Sequence, residues 1–331
     1  MAHTGTPMKK KIWITWEEQP RNYSAANAVG AKLFVLTDES KRFLRYYRLA
    51  LKTLAILKEE QPDTLFVQNP SIVLAITALF FRFWFRYILY IDAHNAGLYP
   101  LEGRSKFANY VCRLIACRTD FLIITNKHLS NITSSWGAKA IVLPDPLPEL
   151  EPYLLDNRPP PPFKFNSGKI NFFFVCTWSS DEPYETLLST FVEFSRTMPN
   201  LSLYISGNHK NKIDITTLSS NIHLTGFIPK SDYYQLFAAC DYAIVLTTRE
   251  NCLNCGAYEA VALEKPGVLS KTAALEEHFH KGFTFAGPEV DNISIAITDL
   301  LSGAEKHKRD IHDLKEVLKR QTKDIVSSNI F

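Results

Sequence analysis

The chain has 331 residues, 46% hydrophobic and 21% charged, a balance that excludes a disordered chain and leaves room for two globular cores. A net charge of +3 is too small to point to nucleic acid, and no nucleic-acid motif or polybasic tail occurs. The charge is uneven, however: residues 1–158 hold 20 Lys and Arg against 14 Asp and Glu, and the remainder 17 against 20, so the first half is the one suited to an anionic ligand or membrane surface.

Six cysteines are scattered through hydrophobic runs, which reads as reduced thiols. The first residues carry no apolar run of the secretory type. The richest apolar stretch, 71–92, is broken by Arg82 and Arg86 before it reaches the ~18 uninterrupted apolar residues of a membrane span. The expected location is cytoplasmic, with the inner face of the membrane as a further setting.

Short apolar runs rich in β-branched and aromatic residues predict strands at 11–16, 32–36, 64–68, 87–92, 120–125 and 140–144. Helical periodicity fills the intervals at 21–29, 41–60, 71–85, 104–118 and 126–136. The alternation then stops. Residues 147–168 are rich in proline, with four in succession at 159–162, and proline suits neither a helix interior nor a central strand. It resumes with strands at 169–176, 201–206, 221–226, 242–246, 266–270 and 283–287, helices between them, and a long amphipathic helix at 305–326.

Repeated strand–helix alternation predicts an α/β protein with two Rossmann-like, doubly wound parallel-sheet domains and ligands at the carboxyl ends of the strands. The expected bounds are 1–157 for an acceptor-side domain, 158–168 for the linker and 169–303 for a donor domain. The helix within 304–331 is expected to pack back toward the first domain, and a cleft to lie between the two.

The most informative stretch is 247–270. A strand ends in Thr-Thr-Arg249-Glu250, and a turn with Asn254, Cys255 and Gly256 opens a helix that carries Glu259. Free N–H groups at a helix N-terminus bind anions, and glycine permits close approach to the backbone. Glu259, a turn further on, has the reach to accept from two ribose hydroxyls, and Arg249 the charge to contact a diphosphate or a sugar carboxylate. A helix start with a buried, capping Glu has the same spacing.

These residues resemble the donor loop of GT-B glycosyltransferases, family 4 in particular, which carries a Glu-x7-Glu element followed by Lys-Pro before a strand. Glu259 matches the second Glu and Lys265-Pro266 the Lys-Pro, while position 251, where the first Glu would stand, is Asn, with Glu250 one residue early. Residues 221–248 resemble the segment whose Gly-Phe turn, here Gly226-Phe227, lines the nucleotide base. Residues 176–188 fall at the family's phosphate-facing loop but lack its Arg and Lys, leaving that task to Trp178, Ser179 and Ser180. Residues 67–76 and 87–97 resemble a branch containing bacterial polysaccharide transferases and the chitobiosyl-diphosphodolichol mannosyltransferase.

The resemblance implies a retaining, metal-independent glycosyltransferase moving a sugar from a UDP- or GDP-linked donor, a substrate and not a cofactor. The acceptor it implies is a glycan or lipid-linked saccharide of cell-surface polysaccharide or glycolipid synthesis. The same resemblance places Asp92, His94 and Glu250 at the transferring sugar. It assigns Trp178, Ser179, Gly226, Phe227, Arg249, Asn254, Cys255, Gly256 and Glu259 to the donor.

Asp92 would be the base of an inverting enzyme, a role for which Glu17 and Glu18 compete. The departures at 251 and in the phosphate loop keep one alternative in play, a non-catalytic nucleotide-sugar sensor or partner, and a sugar-nucleotide epimerase on the same fold is the other. Cys252-x-x-Cys255 has half of a zinc spacing and no second half nearby, and reads as coincidence. The aromatic and arginine run at 80–90 reads either as core packing with two solvated arginines or as a membrane-facing edge.

Overall fold

The computed structural model describes residues 9–69, 71–93, 95–154 and 168–328. The chain divides into two compact units, 1–146 with 321–331 and 147–320.

In chain order the first unit contains β1 (Lys11–Thr15), α1 (Pro20–Ala28), β2 (Lys32–Val35), α2 (Arg42–Glu60), β3 (Thr64–Asn69), α3 (Ile72–Phe85), β4 (Ile88–Ala93) and α4 (Asn95–Leu98). It continues with α5 (Lys106–Arg118), β5 (Phe121–Ile124), α6 (Lys127–Ser135) and β6 (Ala140–Val142). All six strands are parallel, in the order β2-β1-β3-β4-β5-β6. Every residue of β3 is buried, as a central parallel strand with both faces covered requires. Side-chain caps start the helices where the sequence offers them: Ser71, Ser105 and Asn126 accept from the backbone N–H three residues on in α3, α5 and α6.

The two faces of this sheet are packed differently. On one, Ile14, Val67, Leu89 and Ile91 meet α2, α3 and α5 through Leu49, Leu57, Leu74, Ala78 and Ile115. On the other, Trp13, Phe66, Tyr90 and Phe121 stack in a row across four neighbouring strands, with ring centroids 5.4, 4.8 and 4.9 Å apart. Helix α1 covers this row through Ala25 and Ala26.

The second unit contains α7 (Glu151–Leu154), β7 (Ile170–Phe174), α8 (Tyr184–Thr197), β8 (Leu201–Ser206), β9 (Ile222–Gly226), α9 (Lys230–Ala239) and β10 (Tyr242–Val245). It continues with α10 (Cys255–Ala262), β11 (Gly267–Ser270), α11 (Ala273–His278), β12 (Phe283–Ala286), α12 (Val290–Ser302) and α13 (Ala304–Ser327). Its parallel sheet has the order β12-β11-β10-β7-β8-β9, which reverses direction between β7 and β10. Helix α13 seats Ile311, Leu314 and Leu318 in this unit's core, and its end, from Gln321, belongs to the first unit, where Ile325 and Val326 pack on the Trp13 cluster.

The doubly wound fold expected from the alternation is present in both halves. The expected linker, 158–168, falls almost entirely outside the described residues, and residues 147–154 belong to the second unit. The reason is α7, whose Tyr153 ring lies 5.0 Å from Tyr234 of α9. Among the described residues no helix is long and apolar enough to cross a membrane.

The aromatic row makes Phe66, fully buried and stacked on both sides, the side chain most sensitive to truncation in the first unit. Phe66→Ala should lower stability by about 3–5 kcal/mol in urea unfolding, and a loss under ~1 kcal/mol would mean that the row closes up around the gap.

Candidate functional site

In an open parallel sheet the crevice for a ligand lies at the carboxyl ends of the strands, where the strand order reverses. In the second unit that point falls between β7 and β10, and the loops leaving those strands, 175–183 and 246–254, are the ones read from sequence as donor loops.

The loop after β7 is organised by two carboxylates. Glu182 accepts from the backbone N–H groups of Thr177 and Ser179, at 3.0 and 2.9 Å, and from the Thr177 hydroxyl. Asp181 accepts from the hydroxyls of Ser179 and Thr247 at 2.5 and 2.8 Å and faces the Arg249 guanidinium at 3.2 Å. Its backbone carbonyl takes the Thr248 N–H at 2.7 Å, so both loops are laced together at one acidic residue. Burial opposes the charge on Asp181, but the two hydroxyls and Arg249 outweigh it and hold the carboxyl below its ordinary range.

Several residues assigned to the donor have partners within the protein. Trp178 is a core residue: its ring is 1% exposed, its indole N–H donates to the Ser206 carbonyl at 2.9 Å, and its backbone sits in the left-handed region at φ 61°. It cannot present its side chain to a ligand. The Ser179 N–H and hydroxyl are both engaged, by Glu182 and Asp181. Arg249, half exposed, is paired with Asp181.

The turn into α10 is more open to a ligand. Asn254 is the N-cap by backbone, yet its side chain makes no cap bond, and its Oδ1 is buried without a hydrogen-bond partner. Cys255 and Glu250 are exposed and Gly256 is buried. Gly256 is required for a reason other than ligand approach, because a Cβ there would come within 2.7 Å of Val175, so the helix start can lie against β7 only if residue 256 has no side chain. At the end of β9, Gly226 adopts φ 68° with open space where a Cβ would be, and the next residue, Phe227, is 91% exposed.

Glu259 faces inward from α10 and is nearly buried. Its two oxygens accept from Tyr233 and Tyr234 of α9 at 2.7 and 3.0 Å. Burial raises its pKa, and the two phenols and the nearby Lys230 only partly offset that. Sequence reading missed both tyrosines, and it missed Asp181 and Glu182. The adjacent acids just before a helix start were the available signal for the latter pair.

In the first unit the corresponding strand ends are occupied by a buried polar network. Asp92 is fully buried on β4, its two oxygens 2.9 and 2.7 Å from Nε and an Nη of Arg21 on α1. The same guanidinium bonds to Asp145 and to the Leu143 carbonyl, beyond β6. Beside it, Gln68 accepts from Thr15 and Asn22, and Asn22 accepts from Trp13. The expectation that Asp92 opens onto a cleft is corrected here. Strand alternation does turn it away from Ile91's face, but in a doubly covered sheet the other face is also buried, under α1. His94 lies outside the described residues. Glu17 and Glu18, in the loop after β1, are exposed. No group of three His, Cys, Asp or Glu suited to a metal ion exists among the described residues.

Residues 159–316 match the profile of the family "Glycosyl transferases group 1". No curated protein matches the chain significantly. Solved structures similar to the whole chain include Anabaena Alr3699/HepE in complex with UDP-glucose, with a TM-score of 0.70 at 13% identity over 97% of this chain and 99% of that one. Sucrose-phosphate synthase from Thermosynechococcus elongatus has a TM-score of 0.68 at 12% identity, covering 97% of each chain. UDP-GlcNAc 2-epimerase from Neisseria meningitidis bound to UDP-GlcNAc has 0.64 at 13% identity, over 96% of this chain and 99% of that one. At such identities the likeness is one of fold, and the fold is GT-B, with two Rossmann-like halves.

The Arg21 pair gives a sharp expectation for Asp92. Asp92→Ala would leave a buried guanidinium short of one partner and should lower stability by about 3–5 kcal/mol in denaturant titration. A variant as stable as the parent that has lost only activity would return Asp92 to the reacting centre.

Proposed function

We propose that the protein is a glycosyltransferase whose group 1 domain binds a UDP-linked sugar at the switch point of its sheet. The observation that carries the reading is the α10 start. An N-terminal turn with an unpartnered Asn254 oxygen stands one helical turn before a nearly buried carboxylate, inside a domain of this family. The amides of that turn would meet the diphosphate, and the helix dipole would favour the charge that develops on the leaving group. Glu259 would accept from the ribose, its two oxygens held in place by Tyr233 and Tyr234. Gly226 and the exposed Phe227 would border the base, with Cys255 beside the phosphates and Glu250 toward the sugar. UDP is favoured over GDP because the similar structures of Anabaena and Neisseria hold UDP-sugars.

The acceptor we assign is a glycan or lipid-linked saccharide, and the outcome we assign is retention. The capture of Asp92 by Arg21 supports retention, since it removes from that position the free carboxylate an inverting enzyme would use as base. A second reading, epimerisation of a UDP-sugar, is favoured by the likeness to the Neisseria enzyme. Incubating the donor alone separates the two: an epimer formed without acceptor supports the second reading, and transfer that needs an acceptor supports the first.

Thermal melting with UDP, GDP and UDP-glucose tests the binding step. A ligand at a hundredfold excess over its Kd should add about 2.7 kcal/mol to apparent stability, and no shift with any of them would refute the assignment. Glu259→Gln then gives a signed prediction. A carboxyl whose pKa is raised on folding favours the folded state at acid pH, and that contribution is lost as pH rises through the folded-state pKa. At neutral pH the Gln variant should therefore melt no lower than the parent, yet its shift with UDP should fall by more than half. A variant that melts lower while responding fully to UDP would make Glu259 a structural residue.

A further inference from the structure

Helices α2, α3 and α5 each have two apolar faces. The inner faces pack on the sheet, with Leu57, Leu74, Ala78 and Leu49 at most 2% exposed. The outer ones repeat at helical spacing and face water. On α2 they are Phe43, Tyr47 and Leu51; on α3, Ile76, Phe80, Phe83 and Trp84; on α5, Phe107, Tyr110 and Leu114. Phe43, Phe83 and Phe107 are 90%, 81% and 77% exposed, far beyond what scattered surface hydrophobics explain. The helices contact one another in the order α2, α3, α5 and share one core cluster, so the three outer stripes lie on one side of the first unit.

The charge of this face has one sign. Lys and Arg stand at nine positions in the three helices, five on α2, one on α3 and three on α5, and the acids are Glu59 and Glu60 at the far end of α2. Glu60 is tied to Lys10 and Lys32. The bordering Asp120 is paired with Arg82, and Asp38 faces Lys52 at 3.9 Å. The cations flank the aromatics directly: Arg42 precedes Phe43, Arg82 and Arg86 bracket Phe83-Trp84, and Lys106 precedes Phe107.

We infer that the outer face of α2, α3 and α5 docks on an anionic lipid membrane, its aromatic rings at the headgroup boundary and its Lys and Arg on lipid phosphates. Aromatic rings and snorkelling cations share the interfacial layer of a bilayer, and an anionic leaflet attracts each added cation. A second copy of the chain fits less well, because a two-fold interface would set this basic face against itself. A protein partner fits less well too, since interface cores are depleted of charge.

Flotation of the full chain with vesicles tests this. The protein should rise with vesicles of equal parts phosphatidylglycerol and phosphatidylcholine, stay down with pure phosphatidylcholine, and be released as salt is raised. The double variant Phe83→Ser, Trp84→Ser should keep its melting profile and its thermal response to UDP, because both side chains are exposed. Its vesicle-bound fraction should fall by about tenfold. The inference is overturned if the parent chain ignores anionic vesicles, if parent and variant float alike, or if sedimentation shows a parent dimer that the variant dissolves. None of these readings depends on nucleotide binding or turnover, so failure here leaves the proposed transfer reaction standing.

Discussion

A parallel strand can be laid beside its predecessor only after the chain has crossed back over one face of the sheet, and every strand pairing in this protein is parallel. That constraint puts helices on both faces of both sheets and leaves strand ends and loops as the places where polar groups meet solvent. It also explains the network at the strand ends of the first unit. Thr15, Gln68 and Asp92 lie under α1, so each must find a partner inside the protein, and Arg21 and Asn22 on that helix supply them. At the equivalent ends of the second sheet Glu182 and Asp181 tie the loop after β7 together, and the start of α10 stands beside it.

The two acids after β7 change how that loop works. Backbone N–H groups at such a loop are ordinarily free to receive an anion. Here Glu182 already occupies those of Thr177 and Ser179, and Asp181 draws Arg249 to itself. In the donor site proposed above, the burden of holding a diphosphate would then fall on α10, whose first turn lies so close to Val175, just after β7, that residue 256 has room for no Cβ. Glycine acts there as a spacer between two elements.

The fold was legible in the sequence because both periodicities are strong: twelve apolar runs became twelve strands, and the long helices fell between them. The short helices α4, α7 and α11, of four to six residues, hold too few turns to show a period. The start of α10 was legible because a helix start has local chemistry. Asp92 was not: alternation tells which side of a strand a residue takes, but not whether that side is covered, and its partner Arg21 is 71 positions away. The inward ring of Trp178 was not legible either, since nothing in the local sequence marks a loop residue with a left-handed backbone and a buried side chain.

That inward ring has an optical consequence. Of the five tryptophans, Trp13, Trp16, Trp84 and Trp136 belong to the first unit, and Trp178 alone to the second. Its indole is shielded from water, bonded to the Ser206 carbonyl and set in the loop whose backbone Glu182 and Asp181 hold. Any tryptophan emission from the second unit comes from this one ring, so the unit carries its own indole fluorophore in a loop next to the proposed donor site.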